Sequence, residues 1–238
     1  MGLLQKSLVV FLALAATAPL FVETTLASSD RQAYPNILII LVDDLGWHDV
    51  GYHNPTIGTP HIDALAESGL RLDQFYANPT CSPSRASLLT GLFSRSHGVH
   101  APVTHTSVKG LPIEIPLLPQ FLSEVGYSTH LVGKWHLGSR DPTSLPTARG
   151  FDSFYGHLNG GIGYFDHVFS GGLDWQRNGV TIREDGHASS LLGAEARRII
   201  EAQPTKQPFF MLLAFNAPHT PLEEPDGSGR GHSGRETL

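Results

Sequence analysis

At 238 residues, 40% of them apolar and 16% charged, the chain can bury a core, and its composition excludes a disordered or collagen-like protein. A formal charge of −6, with Lys and Arg scattered rather than striped, excludes an electrostatic nucleic-acid binder. The chain contains no solenoid-type repeat, so one domain is the simplest organisation.

Lys6, the apolar run 8–20 and the small residues around Ala27 read as an export signal over residues 1–27. A single-pass anchor is the competing reading, but the run is shorter than the roughly 20 residues that span a bilayer, which predicts cleavage near Ser28 and no stable membrane span. An exported chain meets an oxidising compartment, yet Cys81 is its single cysteine. That leaves an intermolecular bridge, a buried filler or a reactive group.

Residues 36–42 (NILIILV) are apolar throughout, which predicts a strand buried on both faces of a parallel sheet and ending in Asp43 and Asp44. Thr59 and Pro60 open a helix with Ile62, Leu65 and Ala66 at helical spacing and Gly69 as its stop. A strand is expected over 70–76, a helix with Pro83 in its first turn over 82–92, a helix over 117–125 ended by Gly126, and a strand over 127–132. Residues 191–202 read as a helix and 208–215 (PFFMLLAF) as a buried strand. The Gly-, Ser- and Asp-rich stretches 139–146 and 156–179 are expected as long site-shaping loops, and 223–238 as a disordered tail.

Strands alternating with helices predict an α/β fold with a mostly parallel central sheet flanked by helices. In such sheets the binding crevice lies beyond the carboxyl ends of the strands. There fall Asp43 and Asp44, then Lys134 and His136, then His219.

Cys81-Ser82-Pro83-Ser84-Arg85, running on to Thr90-Gly91, resembles the type I sulfatase signature, C-x-P-S-R followed by a short spacer and T-G. Three further segments resemble blocks of the same family: Asp43-Asp44-Leu45-Gly46, Gly133-Lys134-Trp135-His136-Leu137-Gly138, and Ala217-Pro218-His219-Thr220-Pro221. The segment 145–152 (LPTARGFD) also matches, as scaffold, and the likeness is greatest to arylsulfatase B-like members. The resemblance assigns 34–222 to the N-terminal portion of a catalytic domain with the alkaline-phosphatase/sulfatase-like fold.

It implies that Cys81 is oxidised to formylglycine by the formylglycine-generating enzyme during export. Asp43, Asp44 and the side chain derived from Cys81 would bind Ca²⁺, a hard cation suited to oxygen ligands. A hydroxyl of the hydrated aldehyde would attack sulfur in line, the alcohol would leave, and the second hydroxyl would expel sulfate. Arg85 and Lys134 would offset negative charge, His136 would serve the hydrate as base and His219 the leaving oxygen as acid. The substrate would be an aryl sulfate or a sulfated glycan. His48, His53, His61, His97, His100 and His105 receive no role.

The family also uses an Asp-Asn or Asp-Gln pair and a later Lys, downstream of the His219 block. The sequence ends before them, and Asp226-Gly227 does not match. The expectation is therefore an incomplete calcium shell, an open sheet edge prone to aggregation, and weak or no turnover by this chain. A phosphodiesterase or phosphonate hydrolase of the same superfamily is the alternative enzyme; a non-catalytic sulfatase-like product that binds sulfated glycans or a partner is the alternative from another class. The Asn78-Pro79-Thr80 sequon carries the forbidden proline, which favours secretion or a periplasmic location over lysosomal residence.

Overall fold

The structure, a computed structural model, describes residues 34–226, so the expected export signal and most of the expected tail lie outside the described residues. In chain order the strands are β1 (Ile37–Asp43), β2 (Ser128–Lys134), β3 (Ser153–His157), β4 (Val168–Phe169), β5 (Gly172–Leu173), β6 (Gln176–Arg177), β7 (Val180–Thr181) and β8 (Phe209–Pro218). The helices are α1 (Pro60–Ser68), α2 (Cys81–Thr90), α3 (Ser94–His97), α4 (Leu118–Glu124) and α5 (Ala188–Ala202). Strands β1, β8, β2 and β3 lie side by side in parallel, and β6 and β7 extend the sheet antiparallel beyond β3. The mostly parallel sheet flanked by helices is the predicted architecture.

One face packs on α2 and α4, with Leu131, Phe154, Phe210 and Leu212 meeting Leu89, Leu117 and Phe151. The other packs on α5, where Val132, Tyr155, Met211 and Leu213 meet Leu192, Ala196, Ile199 and Trp175. Each fully buried side chain of this size contributes about 1.5–3 kcal/mol. Strand β8 is apolar and buried along 209–214 because it sits between β1 and β2 with both faces covered.

Strand β1 differs from the expectation of two buried faces. Among the described residues it pairs only with β8, and Leu38 and Ile40 are 43% and 51% exposed on its open face. A continuous apolar run marks a strand but does not say whether it is central or at an edge. The strand expected over 70–76 does not form: Leu70, Leu72, Phe75 and Tyr76 are exposed and pair with no neighbour. Helix α1 forms where expected, behind Thr59 and Pro60, yet buries none of its residues.

The 156–179 segment is more ordered than a plain loop, since it contains β4, β5 and β6. Helix α5 starts before residue 191 because His187 accepts from Ser189 N and caps it. Glu223, expected to open the tail, accepts a hydrogen bond from Tyr164 N, and its carbonyl lies 3.0 Å from His187 Nε2. Two glycines let the central strands close up at their carboxyl ends. A Cβ on Gly133 (φ +115°) would lie 1.9 Å from Ala214 O, and one on Gly156 (φ +142°) 2.3 Å from Gly133 O. Among the described residues no helix is long and apolar enough to cross a membrane.

Candidate active site

The spatial order β1, β8, β2 places the ends of three sequence-distant strands side by side. Asp43 and Asp44 leave β1, His219 follows β8, and Lys134 and His136 leave β2. All seven residues singled out by sequence lie at this edge or on α2, whose first residue is Cys81.

Helix α2 begins at Cys81 because Thr80 is extended and Pro83 fits a first turn, where its missing N–H is no loss; Gly91 (φ 69°) stops it in the left-handed conformation. Cys81 Sγ lies 3.2 Å from His136 Nδ1. His136 Nε2 lies 3.0 Å from the carbonyl oxygen of Val103, which can only accept, so Nε2 carries the proton and Nδ1 turns its lone pair to the sulfur. Burial, with Lys134 and Arg85 nearby, pushes the His136 pKa down to about 3, so the ring is a neutral base at neutral pH.

His136 is held at φ 59°, unusual for a residue with a Cβ. Strand β2 therefore ends at Lys134, and Lys134 and His136 do not share one extended face. Buried Ser82 fixes the bend, donating to His136 O at 2.8 Å and accepting from Val103 N at 2.9 Å.

Arg85 leans from α2 under the end of β2 and donates through Nη1 to Lys134 O at 2.7 Å. Its Nη2 lies 3.5 Å from Asp43 Oδ1, and Lys134 Nζ bonds Asp43 Oδ2. Two buried cations thus share one buried carboxylate. Burial lowers the Arg85 pKa, against the opposing pull of Asp43; burial and then Arg85 lower that of Lys134. Arg85 is 3% exposed, and its Nε and Nη2 have no hydrogen-bond partner among the described residues. Donors of this kind suit a tetrahedral oxyanion.

His219 faces the exposed Asp44, Nε2 to Oδ2 at 3.8 Å, while its Nδ1 lies 2.6 Å from Thr220 O and so carries the proton. Several residues around the two imidazoles fall in the 156–179 stretch expected to shape the site, though none was singled out by its own sequence signal. Tyr164 donates its hydroxyl to His219 O at 2.8 Å. A Cβ on Gly160 would meet the His136 ring at 2.8 Å, and one on Gly161 the His219 ring at 3.2 Å. Asp174 pins that turn by accepting from Leu158 N and Asn159 N. His157, paired with Lys134 in the sheet register, is fully buried; neither ring nitrogen makes a hydrogen bond of normal geometry among the described residues, and burial followed by Lys134 and Arg85 holds its pKa well down.

Outside the edge, His97 is a framework residue between Ser87 Oγ and Val99 N, and Arg149 in the 145–152 segment donates to the carbonyls of Leu111, Pro112 and Ile115.

Asp43 and Asp44 fit calcium by kind, as hard oxygen donors, but two carboxylates fall short of the about six to eight oxygens the ion takes. Both oxygens of Asp43 already face cations. Among the described residues no group of three or more His, Cys, Asp or Glu is arranged to hold a metal. The pair therefore fits the ion only as part of a larger shell.

The sulfatase family profile matches residues 35–230. The chain is similar to arylsulfatase J of Mus musculus, 38% identical over 208 residues that cover 84% of this chain and 35% of the relative. It is similar to N-acetylgalactosamine-6-sulfatase of Homo sapiens, 37% identical over 210 residues, 79% of this chain and 40% of the relative. The crystal structure of Ps i-CgsB in complex with k-i-k-neocarrahexaose superposes with a TM-score of 0.75 at 36% identity, covering 81% of this chain and 47% of that one. The chain thus spans less than half the length of these relatives.

Proposed function

The chain belongs to the sulfatase family, and from that premise we propose that its site serves the hydrolysis of sulfuric esters, aryl or glycan, with Cys81 converted to formylglycine. Buried Arg85 carries the proposal. Its Nε and Nη2 make no hydrogen bond among the described residues, although Nη2 is ion-paired with Asp43 at 3.5 Å, and sulfate oxygens at the start of α2 would complete their bonding.

The residues have separable tasks. Arg85 and Lys134 bind sulfate and offset the charge that builds on its oxygens. His136, neutral and directed at residue 81 by the Val103 carbonyl, accepts the proton of the attacking hydroxyl. His219 gives a proton to the departing alcohol oxygen, with Asp44 beside its Nε2. Formylglycine supplies a geminal diol that can both attack and release sulfate. Calcium, held in part by Asp43 and Asp44, supplies polarisation of a sulfate oxygen. Export through residues 1–27, with the formylglycine-generating enzyme acting on the way, is part of the same proposal.

The test is the mass of the peptide containing Cys81, from protein secreted by a host with the formylglycine-generating enzyme, together with the turnover of matched sulfate and phosphate esters, compared at the weak level that the incomplete calcium shell allows. A loss of about 18 Da relative to the thiol, as for CH₂SH going to CHO, and preference for the sulfate ester are expected. An unmodified thiol removes the nucleophile and overturns the proposal; a preference for phosphate moves the chain to the phosphoryl-transfer side of the superfamily.

A further inference from the structure

A cavity of about 320 Å³ opens against His219. Its size is at the lower end of small-molecule sites, enough for one ring rather than an oligosaccharide. Gly161 and Gly163 line it beside His219, and their lack of side chains lets the His219 ring and the Asp166 carboxylate pack against the backbone, where a Cβ would stand 3.2 Å and 2.2 Å from them. Phe169 contributes an apolar wall, its ring braced edge-on by His105 at 5.6 Å. Among the described residues the charged lining groups are Asp166 and Glu223, and no Lys or Arg lines the space. One oxygen of each carboxylate is held by a backbone N–H: Asp166 Oδ1 by Val168 and Glu223 Oε2 by Tyr164.

We infer that this cavity receives the alcohol half of the ester and selects a sugar unit that carries one sulfate and otherwise free hydroxyls. The inference rests on the sulfatase reading, in which His219 protonates the departing oxygen, so the group attached to that oxygen lies against His219. A carboxylate is an acceptor with no proton to give, so it bonds sugar hydroxyls and repels a second sulfate or a carboxylate on the same ring. The electron-rich face of Phe169 suits the C–H face of a sugar ring. Arg85 and Lys134 attract the sulfate that is cut, whereas this cavity penalises any other anion.

The experiment is calorimetric binding of galactose 6-sulfate, galactose 2,6-disulfate and inorganic sulfate to the Cys81→Ser protein, which binds without turnover. Galactose 6-sulfate is expected to bind about fivefold more tightly than the disulfate, the size of effect that like charges a few ångströms apart produce at an exposed carboxylate such as Asp166. Asp166→Asn, which can still accept from Val168 N, should shrink that ratio to about twofold or less. Equal affinities for the two sugars, or a ratio untouched by Asp166→Asn, overturn the selection while leaving the sulfatase reading in place. Failure of inorganic sulfate and both sugars to bind overturns the sulfatase reading and this inference with it.

Discussion

Cys81 Sγ and His136 Nδ1 stand 3.2 Å apart across 55 residues of sequence, and Ser82 holds the contact by bonding both the His136 carbonyl and Val103 N. Ser82→Ala removes both bonds inside the protein. A stability loss of about 1–3 kcal/mol is expected, measured by urea unfolding, together with a change in the His136 ring signals by NMR. Unchanged ring signals would show that Ser82 does not set the geometry.

Asp43 is the shared counterion of Lys134 and Arg85. Asp43→Asn leaves two buried cations without a compensating charge and should cost about 3–5 kcal/mol. A lowered urea midpoint checks this; a loss below about 1 kcal/mol would mean that water reaches the cluster.

Acid should weaken the fold well above the carboxylate range. His136 titrates at about 3 in the fold and near 6.5 when unfolded, so between those values the unfolded chain binds a proton that the folded chain does not. Its contribution is full above about pH 6.5 and is lost as pH falls toward 3. By linkage the loss at pH 5 is about 2 kcal/mol from this residue alone. Burial moves His157 and His130 the same way. Urea midpoints at about pH 7.5 and about pH 5 measure the effect, and His136→Gln should flatten the difference.

The open face and edge of β1 give a solubility prediction. Ile40 is 51% exposed there, and Ile40→Lys should reduce self-association seen by light scattering while changing stability by no more than about 0.5 kcal/mol. Persistent aggregation of the variant would place the sticky surface elsewhere.

The parts legible in sequence were those with local signals. Pro83 and Gly91 bracket α2, the run 208–215 marks β8, and parallel strands send their carboxyl ends to one edge, which gathers Asp43, Lys134 and His219 from sequence alone. Long-range facts were hidden. Nothing in 36–42 says that β1 has a neighbour on one side only, and the pattern over 70–76 is a strand pattern that finds no pairing partner. Ser82, Val103, Asp174 and Tyr164 shape the two histidines through contacts set by the fold, and none belongs to a periodic pattern.

Pro83 and Arg85 are buried once α2 docks on the sheet. On the formylglycine proposal, an enzyme that reads them together with Cys81 must meet the chain while it is still unfolded. Each molecule then has a single opportunity, in transit, to become an active catalyst. On that proposal, a copy that folds first would keep its thiol, and the fraction of working protein would be decided by a race between folding and modification rather than by any later repair.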